Sequence, residues 1–246
     1  MTVAVTTRSL TKRYGDHLAL DGLSLEVARG EVFGFLGHNG AGKTTTINIL
    51  TTLLAPTSGG AEVCGRDVVR DKMAARRKIG YVPENVRLYD GLSATDNLMF
   101  FARLSGVADP ALRIRETLGF LDCEPLAKKS VGTMSKGQRQ RIGLAQAMLH
   151  RPEVLFLDEP ASGLDPLGIK TLRDLIVRLN KEFGTTIFMN THLIGEVSKT
   201  CTSIAVLNQG KLVFHDTLKG VLARIGDDTA LEQLYLSVAP KVEAGS

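Results

Sequence analysis

The residues with the clearest chemistry are Gly37-His38-Asn39-Gly40-Ala41-Gly42-Lys43-Thr44, a GxxxxGK[ST] run followed by Thr45. Glycines at these places let successive backbone N–H groups wrap a phosphate without side-chain clashes. A helix starting at the end of the run adds the positive end of its dipole. Lys43 brings a point charge to the outer phosphates, Thr44 a hydroxyl suited to Mg2+, and Thr45 stands next for an inner phosphate. A Gly-rich turn with a chance Lys-Thr would carry the same letters. Here the apolar run Val32-Phe33-Gly34-Phe35-Leu36 precedes it and Ile47-Asn48-Ile49-Leu50 follows, the strand and helix between which a phosphate loop must lie. The chemistry is binding of a nucleoside triphosphate.

A second constellation ends another apolar run, Leu155-Phe156-Leu157-Asp158-Glu159-Pro160. Taken alone, two acids after a strand read as an exposed turn. Beside a phosphate loop they read differently, because ligands of open α/β sheets bind at the carboxyl ends of strands. Asp158 is then placed to hold Mg2+, directly or through water, and Glu159 to orient and deprotonate an attacking water. These features leave kinases, GTPases, helicases and transport ATPases open. Four further segments narrow the choice: Tyr81-Val82-Pro83-Glu84, Met134-Ser135-Lys136-Gly137-Gln138-Arg139-Gln140-Arg141, Ser162-Gly163-Leu164-Asp165 and Thr191-His192.

The elements that must position these residues are legible as periodicities. Val3-Ala4-Val5 and Leu18-Ala19-Leu20 read as strand pieces, and Leu23-Ser24-Leu25-Glu26-Val27 alternates as a half-exposed antiparallel strand should. Gly37 to Thr46 reads as loop, Ser58 to Val63 as turn then strand, and Lys72 to Lys78 as a short basic helix. The stretch from Leu88 to Met148 is mostly helical, with Leu98, Phe101, Ala102 and Leu104 on one face and Ile142, Ala145, Gln146 and Leu149 on another. Val154 to Leu157, Thr186 to Met189 and Ile204 to Leu207 are buried strands, and Leu172 to Phe183 is an amphipathic helix. Alternating strands and helices predict an α/β fold with a largely parallel sheet. Asp216 to Ala239 reads as short terminal helices, and Lys241 to Ser246 as a frayed end.

Composition agrees. The 246 residues are 43% hydrophobic and 23% charged, which excludes disorder, collagen and a coiled-coil rod for most of the chain. The net charge of +4 is too mild to argue for nucleic acid, and the absence of Trp argues against base-stacking platforms. No apolar run reaches the roughly 20 residues of a membrane span, and the first residues do not read as a signal peptide. Cys64, Cys123 and Cys201 lie far apart without metal-ligand spacing; they read as small core residues in a reducing, cytosolic setting.

In this order the motifs resemble the nucleotide-binding subunit of ATP-binding cassette (ABC) transporters, over at least Ser9 to Asp216. The Ser-x-Gly-Gln segment is the mark that sets this family apart from other phosphate-loop proteins. Tyr-Val-Pro-Glu-Asn, Ser-Lys-Gly-Gln-Arg-Gln-Arg and Leu231-Glu232-Gln233-Leu234-Tyr235-Leu236 look like the ABC-2 type export branch. The resemblance implies a P-loop NTPase (RecA-like) fold of mostly parallel sheet, with an N-terminal antiparallel β region and a helical subdomain. It implies one ATPase domain over 1–246. The nucleotide-binding core is 1–84 and 152–216, the helical subdomain 85–151 and the C-terminal helical tail 217–246.

The resemblance further implies an ATPase using ATP and Mg2+, working as a pair of cassettes, identical or not. One copy's phosphate loop holds ATP while the other copy's Ser135, Gly137 and Gln138 close over the γ-phosphate in trans. A Ser hydroxyl, a Gly N–H and a helix N-terminus suit an anion, although Ser135 also reads as an ordinary N-cap. Tyr14 matches the adenine-stacking aromatic, His192 contacts the γ-phosphate and the water, and Asp165 lies at the dimer seam. Without that context these three are a surface Tyr, a satisfied polar His and a turn acid.

The chain departs from the family pattern twice. Glu84 stands where most cassettes have Gln; a carboxylate oxygen is a hard ligand, so Glu84 joins Thr44 and Asp158 as an expected Mg2+ residue, or else it points away. Lys136 stands where Gly is common, its side chain expected to point outward. The implied partner is an integral membrane subunit whose cytoplasmic helix docks beside Asn85 to Tyr89 and the helix through Phe101, against Leu88, Tyr89, Leu92 and Phe100, residues that equally suit a core. That places the chain on the cytoplasmic face of the membrane. The basic run Arg66, Arg70, Lys72, Arg76, Arg77 and Lys78 reads as a solvated face or as a neighbour of anionic lipid. Two other readings stand beside transport. One is a soluble ABC ATPase in a nucleic-acid or translation role, whose coiled-coil insertion or second cassette is absent here. The other is a P-loop kinase or regulatory module.

Overall fold

The computed structural model describes residues 2–225 and Tyr235. Its elements in chain order are β1 (Val3–Tyr14), β2 (His17–Ala28), β3 (Val32–Leu36), α1 (Lys43–Leu50), β4 (Ser58–Val63), β5 (Arg66–Asp67), α2 (Lys72–Arg76) and β6 (Ile79–Val82). The helical stretch is α3 (Ala94–Leu104), α4 (Pro110–Phe120) and α5 (Lys136–Met148). β7 (Val154–Asp158), α6 (Pro166–Phe183), β8 (Thr186–Asn190), α7 (Ile194–Thr200), β9 (Ser203–Asn208), β10 (Lys211–Thr217) and α8 (Leu218–Ile225) complete it.

They form two sheets. A four-stranded antiparallel sheet runs β2-β1-β4-β5, and a six-stranded sheet runs β10-β9-β3-β8-β7-β6. In the larger sheet every pairing is parallel except β10 with β9. The fold class expected from the sequence is therefore the one observed.

β3, β7 and β8 are buried along their whole length, as parallel strands covered on both faces must be. Alternation then sorts their side chains into two layers. Phe33, Phe35, Phe156 and Phe188 face α1 and the antiparallel sheet, with the Phe188 ring 5.0 to 5.4 Å from the other three. Leu36, Leu155, Leu157, Ile187 and Met189 face the helical side. At the C-terminal ends, Asp158 and Asn190 stand opposite each other in register. The phosphate loop follows β3, Asp158-Glu159 ends β7, and Thr191-His192 follows β8, so three segments far apart in sequence meet at one sheet end.

Several elements differ from the sequence reading. α1 begins at Lys43, inside the stretch read as loop, because Gly42 in a left-handed conformation serves as its N-cap. β6 and β10 were not legible as strands: β6 is four residues broken by Gly80, and β10 is partly exposed throughout. On α3, Leu98 and Ala102 are buried and Phe101 is half-buried, but Leu104 is 73% exposed, since the helix ends there and turns away from its packing face. Cys123 and Cys201 are buried, Cys64 is half-buried, and all three are free thiols. The closing Leu231 to Leu236 segment, apart from Tyr235, and the end from Lys241 lie outside the described residues. Among the described residues no helix is long and apolar enough to cross a membrane.

Candidate nucleotide site

The phosphate loop is built by close backbone packing. Gly42 has φ +105, and a Cβ there would lie 2.5 Å from the Ala19 carbonyl oxygen on β2. A Cβ on Gly37 would lie 2.5 Å from the Leu207 carbonyl oxygen on β9. Gly40 has open space but φ +82, which side chains other than Gly rarely adopt. No side chain caps α1 and its first turn carries no acid, so its leading N–H groups stay available to an anion. Lys43 is buried and its Nζ donates to the carbonyl oxygens of Gly37 (2.6 Å) and His38 (3.1 Å), which bends the loop back over the ammonium. Burial holds the Lys43 pKa below its ordinary value, against the opposing charges of Glu159 and Asp158. Ala41 is buried, Asn39 and Thr44 are exposed, and His38 and Thr45 are half-buried. The Tyr235 ring lies 4.6 Å from that of His38, a neighbour nothing in the local sequence announced.

The acids sit beside this loop. Asp158 is buried, and burial pushes its pKa up, with the charge of Glu84 pushing the same way. The Asn190 amide, which donates to Asp158 Oδ1, resists that shift, as do Lys43 and the Thr44 hydroxyl. Sequence reasoning missed Asn190; its signal was the polar residue ending β8 opposite Asp158. Glu159 takes φ +46, a left-handed conformation costing about 1–3 kcal/mol in a non-Gly residue, while its N–H bonds the Asn190 carbonyl. That turn aims Glu159 Oε2 at His192 Nδ1, 2.8 Å away.

Glu84, exposed after β6, accepts a hydrogen bond from Ser162 Oγ at 3.0 Å. Among the described residues no three His, Cys, Asp or Glu side chains converge as a metal cage. Thr44, Asp158 and Glu84 are instead hard oxygen donors beside an anion loop. This set fits Mg2+, which is bound through one or two carboxylates plus substrate phosphates.

The remaining predicted residues form a second group. Ser135 is the N-cap of α5, its Oγ accepting from Gln138 N–H (3.3 Å) while Gln138 Oε1 accepts from Ser135 N–H (3.2 Å). The ordinary capping reading thus holds in this conformation; Gln138 also accepts from Lys129 Nζ at 2.9 Å. Asp165 likewise caps α6, accepting from Gly168 N–H at 2.7 Å. Ser135, Gly137, Gln138 and Asp165 together line a cavity of about 220 Å3. Lys136 is exposed, but its ammonium does not simply point outward: it lies across Gly163, 2.9 Å from where a Cβ would stand. Tyr14 is 47% exposed at the β1–β2 hairpin, with Lys12 Nζ over its ring at 5.2 Å. Leu88 is half-buried, while Tyr89, Leu92 and Phe100 are exposed.

Comparison with known proteins decides the family. A family model described as ABC transporter matches residues 20–162, more than half of the chain. The chain belongs to the ABC transporter family. This cassette is 41% identical over 213 residues to the bacitracin transport ATP-binding protein BcrA of Bacillus licheniformis, covering 87% of this chain and 69% of that one. It is 41% identical over 227 residues to the daunorubicin resistance ATP-binding protein DrrA3 of Streptomyces coeruleorubidus, covering 92% and 72%. Its fold superposes on cbiO1 of Clostridium perfringens, part of the ABC transporter complex cbiONQ, with a TM-score of 0.83 at 28% identity over 97% and 96% of the chains. A dimeric, post-hydrolysis cassette bound to ADP and Pi, MJ0796, matches with a TM-score of 0.78 at 27% identity, over 87% and 98%. The cassette is an ATP-binding ATPase subunit of the transporter kind.

Proposed function

We propose that this cassette powers export through a separate integral membrane subunit: ATP binding closes a pair of cassettes and hydrolysis reopens it. The observation that carries the reading is the Glu159–His192 hydrogen bond beside Asp158 and Lys43, a base held by its neighbour at the mouth of a phosphate loop. Export is supported by the bacitracin transport and daunorubicin resistance relatives.

In this reading Gly37 to Thr45 hold the phosphates and Tyr14 stacks on adenine. Glu159 takes the proton of the attacking water, and His192 orients Glu159 and contacts the γ-phosphate. Thr44, Asp158 and Glu84 hold Mg2+, which neutralises developing phosphate charge when bound. Ser135, Gly137 and Gln138 act on the ATP of the other cassette. Their loop-to-helix start exposes N–H groups once a phosphate replaces the Ser135 cap. Asp165 then stands at the seam. The core (1–84 and 152–216), helical subdomain (85–151) and tail (217–246) form one ATPase domain. Tyr89, Leu92 and Phe100, joined at the Tyr89–Phe100 ring contact of 5.4 Å, receive the membrane subunit, which puts the cassette at the cytoplasmic face.

The test is isolation of the chain with the membrane protein it binds. A complex whose ATP turnover depends on this chain supports the reading. A chain that associates with no membrane protein and turns over no ATP overturns it.

A further inference from the structure

Glu84 and Lys136 line one cleft of about 330 Å3 with Val86, Arg139 and Gln140. The turn after Glu159 joins them. Ser162 Oγ donates to Glu84 Oε1 at 3.0 Å, and the next residue, Gly163, lies under the Lys136 ammonium. Gly163 has φ +67, a conformation that favours glycine, and Lys136 Nζ lies 2.9 Å from where its Cβ would stand. A carboxylate has acceptors only. It therefore needs a donor to fix its direction.

We propose that Ser162 is a positioning residue for Glu84. The hydroxyl pins one carboxylate oxygen and leaves the second as the acceptor that would take the nucleotide's divalent cation. The inference rests on Glu84 belonging to the metal site. It adds that the turn leading to Asp165 sets the aim of Glu84, so the seam between cassettes and the loop beside the docking face are joined through one hydrogen bond.

The test is Mn2+ binding by the ATP-loaded full-length chain, read from the free-Mn2+ EPR signal, with ATP affinity in EDTA measured in parallel. Ser162→Ala is expected to weaken Mn2+ binding about tenfold, the usual loss when a metal ligand's outer partner is removed. Ser162→Thr restores it. In a Glu84→Gln background the Ser162→Ala loss shrinks to less than twofold. Mn2+ affinity unchanged by Ser162→Ala, equal losses in both backgrounds, or no rescue by Ser162→Thr overturns the proposal. Failure to bind ATP in EDTA by the unaltered chain would instead overturn the functional reading itself.

Discussion

His192 Nδ1 lies 2.8 Å from Glu159 Oε2, joining the loop after β8 to the end of β7 across 33 residues of sequence. The Glu159 side chain is largely covered and that of His192 half exposed, so the pair has one foot in the site and one in solvent. Replacing His192 by Ala leaves Glu159 without its neighbour. Turnover should fall about a hundredfold, within the usual range for a group assisting proton transfer, with nucleotide affinity changed far less. Steady-state phosphate release alongside equilibrium ATP binding separates the two.

Lys43 works in the opposite sense. Its ammonium is already paid for by the Gly37 and His38 carbonyls, and it supplies the charge that meets the outer phosphates. Lys43→Ala should weaken ATP binding by at least about tenfold, the scale of one charge-assisted hydrogen bond. Unchanged affinity in a calorimetric titration would remove Lys43 from the site.

Gly42→Ala tests the backbone argument. The new Cβ meets the Ala19 carbonyl at 2.5 Å in a left-handed conformation, so neither rotation nor a flexible neighbour relieves the contact. A loss of about 2 kcal/mol or more in urea unfolding is expected. Gly40→Ala, strained but unobstructed, should cost less.

His150 gives a pH signature. Burial holds its pKa below the ordinary 6.5, although its ring nitrogen bonds the Ile79 carbonyl at 2.9 Å. The unfolded chain then binds a proton that the folded chain refuses. Stability should fall as pH drops below 6.5 and flatten once the folded state also protonates. His150→Gln should show a smaller loss between about pH 7.5 and about pH 5.5 in chemical denaturation.

How much of this was legible follows from range. The phosphate loop and Asp158-Glu159 were readable because each is a contiguous run bounded by a buried strand. The start of α1 at Lys43 was not, because three threonines read as loop and only the left-handed Gly42 reveals the cap. Asn190 escaped notice because its meaning lies in register with Asp158 on a neighbouring strand. The Ser162–Glu84 bond spans 78 residues and has no local signal. The role of Ser135 as a helix cap was legible as the ordinary alternative and holds in a lone chain, whereas Asp165 read as a turn acid and only the structure shows that it caps α6.

The most direct test of the central claim is Glu159→Gln. The variant keeps the shape of Glu159 and loses the proton acceptor. It should keep near-normal ATP affinity, lose turnover about a thousandfold and form an ATP-dependent dimer stable enough to resolve by size-exclusion chromatography. Substantial residual turnover, with no dimer trapped by ATP, would contradict that claim.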